Sequence, residues 1–538
     1  MPKRILFNTN IQFHPNTPLD PLMDALVIED GVIQIIGKSD EIISQFGGES
    51  TIEDLNNSIL LPSFTDAHIH LLEYGQSLLR INTEANTKQV CINRIADQIK
   101  KTPPGKWIVG HGWDHNIWAE GYGLKDDLDA LSRHHPIYLT HKSLHCGWAN
   151  SIAFEKAGIH SGTLDPENGT IQRNTSGEPT GIVFESAMKM VESAIPQLSI
   201  NERKTVIQKA QSALHQYGIT AVHDFDPWSI YETLTDLHHE NKLTLRVTKG
   251  IPESSLDSVI ENNFKSGDGN DWVKIGWLKL FADGALGPQT AAMLAPYEKS
   301  DSTGMLFLHR EKIIAYGEKA LPNGIAMAVH AIGDKAVHET LHAFSHLDEA
   351  GLLRIPYLKS RIEHVQIFNN DDIKLFSNHD VIASMQPIHS ISDMDMAEKY
   401  WGKRCANSYA WHSIFQSGAK MVFGSDAPVE SPNPFLGLHA AILRTKLGKC
   451  IAESQTWIPE QCLDLRTAID VFTAAPSLIG DFGNMSGKIK PGFFADFIIL
   501  SKDFFSKPIS CIQNSTPLAT MSGGKWVYKN DNIDLDIY

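Results

Sequence analysis

The chain has 538 residues, a formal net charge of −16, 42% apolar residues and 20% charged residues. That composition describes an ordinary globular protein and excludes fibrous and disordered classes. The acidic balance argues against a nucleic-acid backbone partner, which requires a basic surface. The length allows a large core with an accessory domain.

The first sixty-odd residues read as short strands, "RILFNTNIQF", "DALVIEDGVIQIIG" and "TIEDLNNSILLP", with turn signals such as Glu29-Asp30-Gly31 between them. The start "MPKRILFNTNIQFHPNT" lacks an apolar h-region, so no signal peptide is expected, and no uninterrupted apolar run is long enough for a membrane span. Next comes "LPSFTDAHIHL", an apolar run ending in His68 and His70. Side chains two apart on a strand share a face, so the two imidazoles are expected side by side.

The middle of the chain alternates strand-like runs with helical patterns such as "ERKTVIQKAQSALHQYG". Candidate strands lie at 60–68, 218–225, 243–250, 277–284, 325–333, 360–366, 380–387 and 420–428. Eight β-then-α units suit a (β/α)8 barrel with its site at the C-terminal strand ends. A doubly wound open sheet would also accommodate the count. About 150 residues separate the first two candidates, far more than one crossover helix needs. This insert, rich in Trp, His, Gly and Asn, is expected on the catalytic face as a lid or pocket wall. The end of the chain, with "SGKIKPGFFADFIILSKD" and "PLATMSGGKWVYKN", returns to β texture. The expected plan is therefore α/β. Residues 1–61 and 471–538 would form a β-sandwich from both termini, and 62–470 a barrel with an insert at about 76–215.

Ligand-type residues recur at the candidate strand ends: Lys279 in "WLKLFADG", His330 in "AMAVHAIGD", His364 in "SRIEHVQ" and Asp426 in "VFGSDAPVE". Taken singly, each has an ordinary reading: a core or surface histidine, a solvated lysine, a turn or helix-capping aspartate. Together with His68 and His70, on successive strands that converge in a closed barrel, they suit zinc or a related divalent ion. The six cysteines, at 91, 146, 405, 450, 462 and 511, form no CxxC pair. That spacing excludes a thiolate zinc site and fits a reducing, cytoplasmic setting.

These motifs, with "GHGWDHNIW" and "HCGWANSIAF" in the insert and "SGKIKPGFFADFIIL" near the end, resemble the amidohydrolase superfamily. More narrowly, they are similar to amidohydrolase family 3, the branch that includes N-substituted formamide deformylases. The resemblance implies a metal-dependent TIM-type barrel with a β-sandwich from both termini. It matches His68, His70, His330, His364 and Asp426 to metal ligands, and Lys279 to a fourth-strand lysine that can be carboxylated to bridge two metals. Whether one or two ions are held stays open. His145, ahead of "WANS", matches a histidine that would stabilise an oxyanion, although a loop or pocket-wall role is equally open.

The implied activity is hydrolysis of a non-peptide C–N bond in an amide, N-formyl or related N-acyl small molecule. Metal-activated water would attack, and Asp426 would serve as general base and acid. A cyclic amide, carbamate or ester substrate, or a non-catalytic scaffold, are the alternatives. The expected partner is a small-molecule substrate, with neither nucleic acid nor membrane, and a homodimer is compatible with this size and class. Glu363 is expected on the opposite side of its strand in a structural role. Asp283 and Asp334 are candidates to orient a ligand. His223 and Asp224 could line the pocket or pack, and Trp113, Trp118 and Trp148 could wall a pocket or form the insert's own core.

Overall fold

The computed structural model describes residues 3–12, 23–141, 146–167, 169–355, 358–448, 455–479, 482, 485–530 and 536–537. Eight short, largely buried runs form one parallel sheet: Phe64–Ile69, Ile219–Asp224, Arg246–Pro252, Val273–Phe281, Met327–Ala331, Arg361–His364, Ile382–Met385 and Met421–Phe423. They pair side by side in chain order, and every pairing is parallel. The sheet closes between its last and first members. There Ile69 and Ala427 form a parallel bridge, the His70 amide donates to the Ala427 carbonyl at 2.9 Å, and the Asp426 amide donates to the His68 carbonyl at 2.7 Å. Gly424 permits this close approach, because a Cβ there would lie 2.4 Å from the His68 nitrogen. The fold is the (β/α)8 barrel, not an open sheet.

The fourth strand begins earlier than the apolar run "WLKLFADG" suggests, at Val273, and ends at Phe281. Val273 and Ile275 alternate with Lys274 and Gly276, so the period-2 signal precedes the continuous apolar run. The helices are amphipathic in the ordinary way. In Ile200–Gln216, for example, Val206, Ile207, Ala210 and Leu214 are buried along one stripe.

Both chain termini share a second sheet, ordered Lys525–Lys529, Ala519–Ser522, Phe497–Leu500, Ser50–Pro62, Lys3–Ile11, Ala25–Glu29, Val32–Gly37. Leu6, Leu26, Leu60 and Phe497 enter one apolar cluster, while Ile5, Ala25 and Val27 enter another. Alternate residues thus bury both faces, as a sandwich-type domain requires. An ion pair joins this domain to the barrel: Arg246 Nε lies 2.6 Å from Asp496 Oδ2, with both side chains buried. The Arg246 guanidinium also stacks 3.7 Å from the Phe494 ring centroid.

Residues 76–202 form a separate compact unit. Its six-stranded sheet runs Gly169–Arg173, Pro179–Glu185, Cys146–Ala149, Ile137–His141, Ile108–Trp113, Ile81–Asn82. Trp113, Trp118 and Trp148 are buried with Leu139 and Ile182 in the core of this unit. Their indole nitrogens donate to the carbonyls of Leu139, Ala85 and Leu124 at 2.8, 3.0 and 2.9 Å. Of the two roles considered for these tryptophans, this is the unit's own core.

Candidate metal centre

The residues singled out at the strand ends lie at the C-terminal end of the barrel. His68 lies one residue before the end of the first strand with His70 just beyond it, Lys279 and His330 lie within the last three residues of the fourth and fifth, and His364 ends the sixth. Asp426 follows the eighth strand. Nitrogens of His68 and His70 and a carboxylate oxygen of Asp426 lie within 4.8 Å of one another. His68 Nε2 and His70 Nε2 are each 3.5 Å from Asp426 Oδ1. The His364 ring centroid is 4.9 Å from that of His68 and 4.5 Å from that of His330. His145 lies outside the described residues.

Each of three imidazoles has one nitrogen bonded to an acceptor. His68 Nδ1 meets Glu363 Oε2 at 2.6 Å, His330 Nε2 meets the Gly284 carbonyl at 3.0 Å, and His364 Nδ1 meets the Gln386 side-chain oxygen at 2.8 Å. An imidazole nitrogen that donates to a carbonyl or carboxylate oxygen leaves the other nitrogen as a lone-pair donor. That assigns the free lone pairs to His68 Nε2, His330 Nδ1 and His364 Nε2. Burial, followed by the charge of Lys279, lowers His68 to about 4 and His330 to about 3. Burial, then its histidine neighbours, holds His364 well below the usual range. All three are neutral at pH 7, as ligands must be.

Asp426 supplies the charge. Burial would raise its carboxyl, but the surrounding histidines hold it well below the usual carboxylate range. His70 is 3.6 Å from Asp226 Oδ1 through its other nitrogen. Burial opposes protonation there, yet the carboxylates of Asp226 and Asp426 raise His70 to about 10. A field that favours an added proton also favours a cation. Burial lowers the Lys279 ammonium to about 8, with the Glu363 and Asp426 carboxylates opposing. Its Nζ lies 4.6 Å from the Phe225 ring centroid and 5.0 Å from that of Phe281.

A buried polar network underlies the histidines. The Arg361 guanidinium donates to Glu363 at 2.5 Å, the Ala67 carbonyl at 2.6 Å, His223 Nδ1 at 2.7 Å and the Ser384 hydroxyl. One side chain thus ties four strands together beneath the ligands. Glu363 was expected to face away. Its strand ends in positive φ at His364 (76°) and Val365 (45°), which breaks the alternation, so Glu363 and His364 both turn inward. His223 is therefore a partner of Arg361. Asp224 pairs with buried Lys249 at 3.1 Å and accepts from the Leu71 amide at 2.9 Å. Asp283 accepts from the Ala292, Ile332 and Gly333 amides at 2.8, 2.9 and 2.8 Å, fixing the turn after His330. Asp334 accepts from the Leu294 amide at 2.8 Å and so serves the same loop region.

The sequence reading missed two further residues. Asp226 follows the second strand and faces His70. His389 lies in the helix Pro387–Trp401 after the seventh strand. Its Nε2 is 3.6 Å from Asp426 Oδ2 and has no hydrogen-bond partner among the described residues. The available signal was architectural: strands two and seven also deliver their ends to this face.

The fold and this histidine–carboxylate centre define the class, a barrel with a metal-type donor set at its catalytic end. The profile of the Amidohydrolase family (Amidohydro_3) matches residues 51–528, and the chain belongs to that family. It is 29% identical to the putative amidohydrolase YtcJ of Bacillus subtilis over 521 residues, covering 94% of this chain and 96% of that protein. It is 22% identical to the N-substituted formamide deformylase of Arthrobacter pascens, covering 90% and 91% of the two chains. Among solved structures, an uncharacterized metal-dependent hydrolase from Pyrococcus horikoshii superposes with a TM-score of 0.78 at 28% identity, covering 93% of this chain and 97% of that one.

Proposed function

We propose that the protein is a metal-dependent hydrolase that cleaves a non-peptide C–N bond in an amide, N-formyl or related N-acyl small molecule. The observation that carries this reading is the set of three neutral imidazoles, each fixed by an acceptor on one nitrogen and free on the other, around an ionised aspartate. Metal-ligating histidines are characteristically held in this way. Family membership and the name of the N-substituted formamide deformylase relative support the bond type. The donor set of nitrogens with one carboxylate favours zinc.

His68, His70, His330, His364 and Asp426 would hold the cation. When bound, it supplies Lewis-acid polarisation of a carbonyl oxygen and a water of lowered pKa. Asp426 accepts the proton of the attacking water and returns it to the departing nitrogen. His389 extends its unpaired Nε2 beside Asp426, where it can donate to a substrate oxygen. Scattered cysteines and a net charge of −16 support a cytoplasmic enzyme without nucleic-acid or anionic-membrane partners.

Chelator-treated protein should lose hydrolysis of a panel of N-formyl, N-acetyl and cyclic amides, and added Zn2+ should restore it. Full activity in the stripped protein would sink the reading, and hydrolysis confined to cyclic amides would move the bond type.

Lys279 extends this reading. Its buried amine reaches the neutral form near pH 8 and can add CO2, losing a proton to give a carbamate whose single negative charge is shared by two oxygens. Lys279→Ala should be almost inactive and should recover in acetate or propionate. Activity near wild type without the acid would remove the bridging role.

A further inference from the structure

A different set of imidazoles lies outside the centre described above. The helix Asp334–Glu349 carries "HETLH", which places His338 and His342 four residues apart on neighbouring turns. Their side chains are about one-third exposed, at 29% and 36%, whereas that of Asp372, in the short 3₁₀ turn Asn370–Asp372, is buried at 6%. His338 Nδ1 lies 2.9 Å from Asp372 Oδ2, His342 Nε2 lies 3.5 Å from Asp372 Oδ1, and the two rings have centroids 4.3 Å apart.

We propose that His338, His342 and Asp372 form a second cation site of the zinc type, with three protein ligands and one position open to water. Nitrogen and oxygen ligands at about 2.0–2.1 Å in tetrahedral geometry stand roughly 3.3 Å from one another. Each nitrogen faces its own oxygen of the Asp372 carboxylate at a separation close to that value, and the three ligand atoms lie within 4.8 Å of one another. A simple capping hydrogen bond accounts for His338 alone. His342 Nε2 faces the second carboxylate oxygen at 3.5 Å, the long end of the hydrogen-bond range, so both oxygens of Asp372 are turned toward imidazoles. Two imidazoles with one carboxylate suit zinc, whereas magnesium and calcium take oxygen ligands. Water completes the set, because both histidines reach solvent. Arg310, whose charge reaches His342, is itself paired with Glu339 at 3.4 Å.

The position gives the site a purpose. The helix begins just after His330, and the 3₁₀ turn follows His364. A cation shared between them staples the segments that leave the fifth and sixth barrel strands, and so stabilises the folded state over the unfolded one. The proposal does not depend on the function assigned to the barrel mouth.

The test is zinc stoichiometry of the full chain, metal-stripped, reloaded with Zn2+ alone and passed through gel filtration. His342→Ala places a strong helix former at a half-exposed position and should fold. Wild type should retain one more equivalent of zinc than His342→Ala or His338→Ala/His342→Ala, and zinc should raise the wild-type Tm more than that of either variant. Asp426→Asn should keep this equivalent whatever happens at the barrel mouth, so the two assignments fail separately. Equal zinc content in wild type and both variants, or an equivalent lost from wild type on the column, would overturn the proposal.

Discussion

Asp426→Asn should lower kcat by about 10²–10⁴-fold, the range for loss of a positioned general base, while the protein stays folded. The fold should survive because the backbone at Asp426 has φ 61°, a left-handed conformation that asparagine tolerates as well as aspartate. The contacts made by its main chain also persist: its amide donates to the His68 carbonyl at 2.7 Å, and its carbonyl accepts from the Val429 amide at 2.9 Å. Only the charge and the basic oxygen are removed, next to His68, His70 and His389. Loss of the carboxylate also weakens cation binding, so kcat is to be compared at equal metal content. A variant within a few-fold of wild type under that condition would take Asp426 out of the proton transfer.

Glu363→Gln should give the largest loss of stability among substitutions around the centre. Glu363 and Arg361 are both fully buried and lie 2.5 Å apart. Burial alone would raise the Glu363 carboxyl, but Arg361 and His68 hold it well below the usual range. The amide has nearly the same shape and carries no charge, so it leaves the guanidinium uncompensated in the barrel. Removing one partner of a buried pair typically costs about 3–5 kcal/mol, to be read as a lower urea midpoint. The amide oxygen still accepts from His68 Nδ1, but more weakly. Cation affinity should therefore fall about 10–100-fold, as for other lost partners of ligating histidines. Chelator competition measures that part. Unchanged affinity would mean that the His68–Glu363 contact does not tune the centre.

Local pattern made several features legible. His68 and His70 were paired on one face because strand side chains alternate, and both do stand beside Asp426. The eight strand-forming runs were readable because buried parallel strands are short, apolar and bounded by turns. Their ends were less legible: the fourth strand starts at Val273 because pairing with its neighbours, not the apolar run, sets its start. The same alternation rule misplaced Glu363, since positive φ at His364 and Val365 turns the chain where a regular strand would have continued.

The amino-acid sequence by itself determined the barrel, the donor types and the order in which they occur, since these depend on periodicities of two and 3.6 residues and on short motifs. Only the tertiary structure decided which nitrogen of each histidine is free, because Glu363, Gly284 and Gln386 come from other strands and loops. It alone placed Asp226 and His389 beside the centre and Arg361 beneath it, and it put Trp113, Trp118 and Trp148 into the core of their own unit. Hydrogen bonds between residues 22, 46 and 295 positions apart leave no local periodicity, so they become visible only once the barrel has closed.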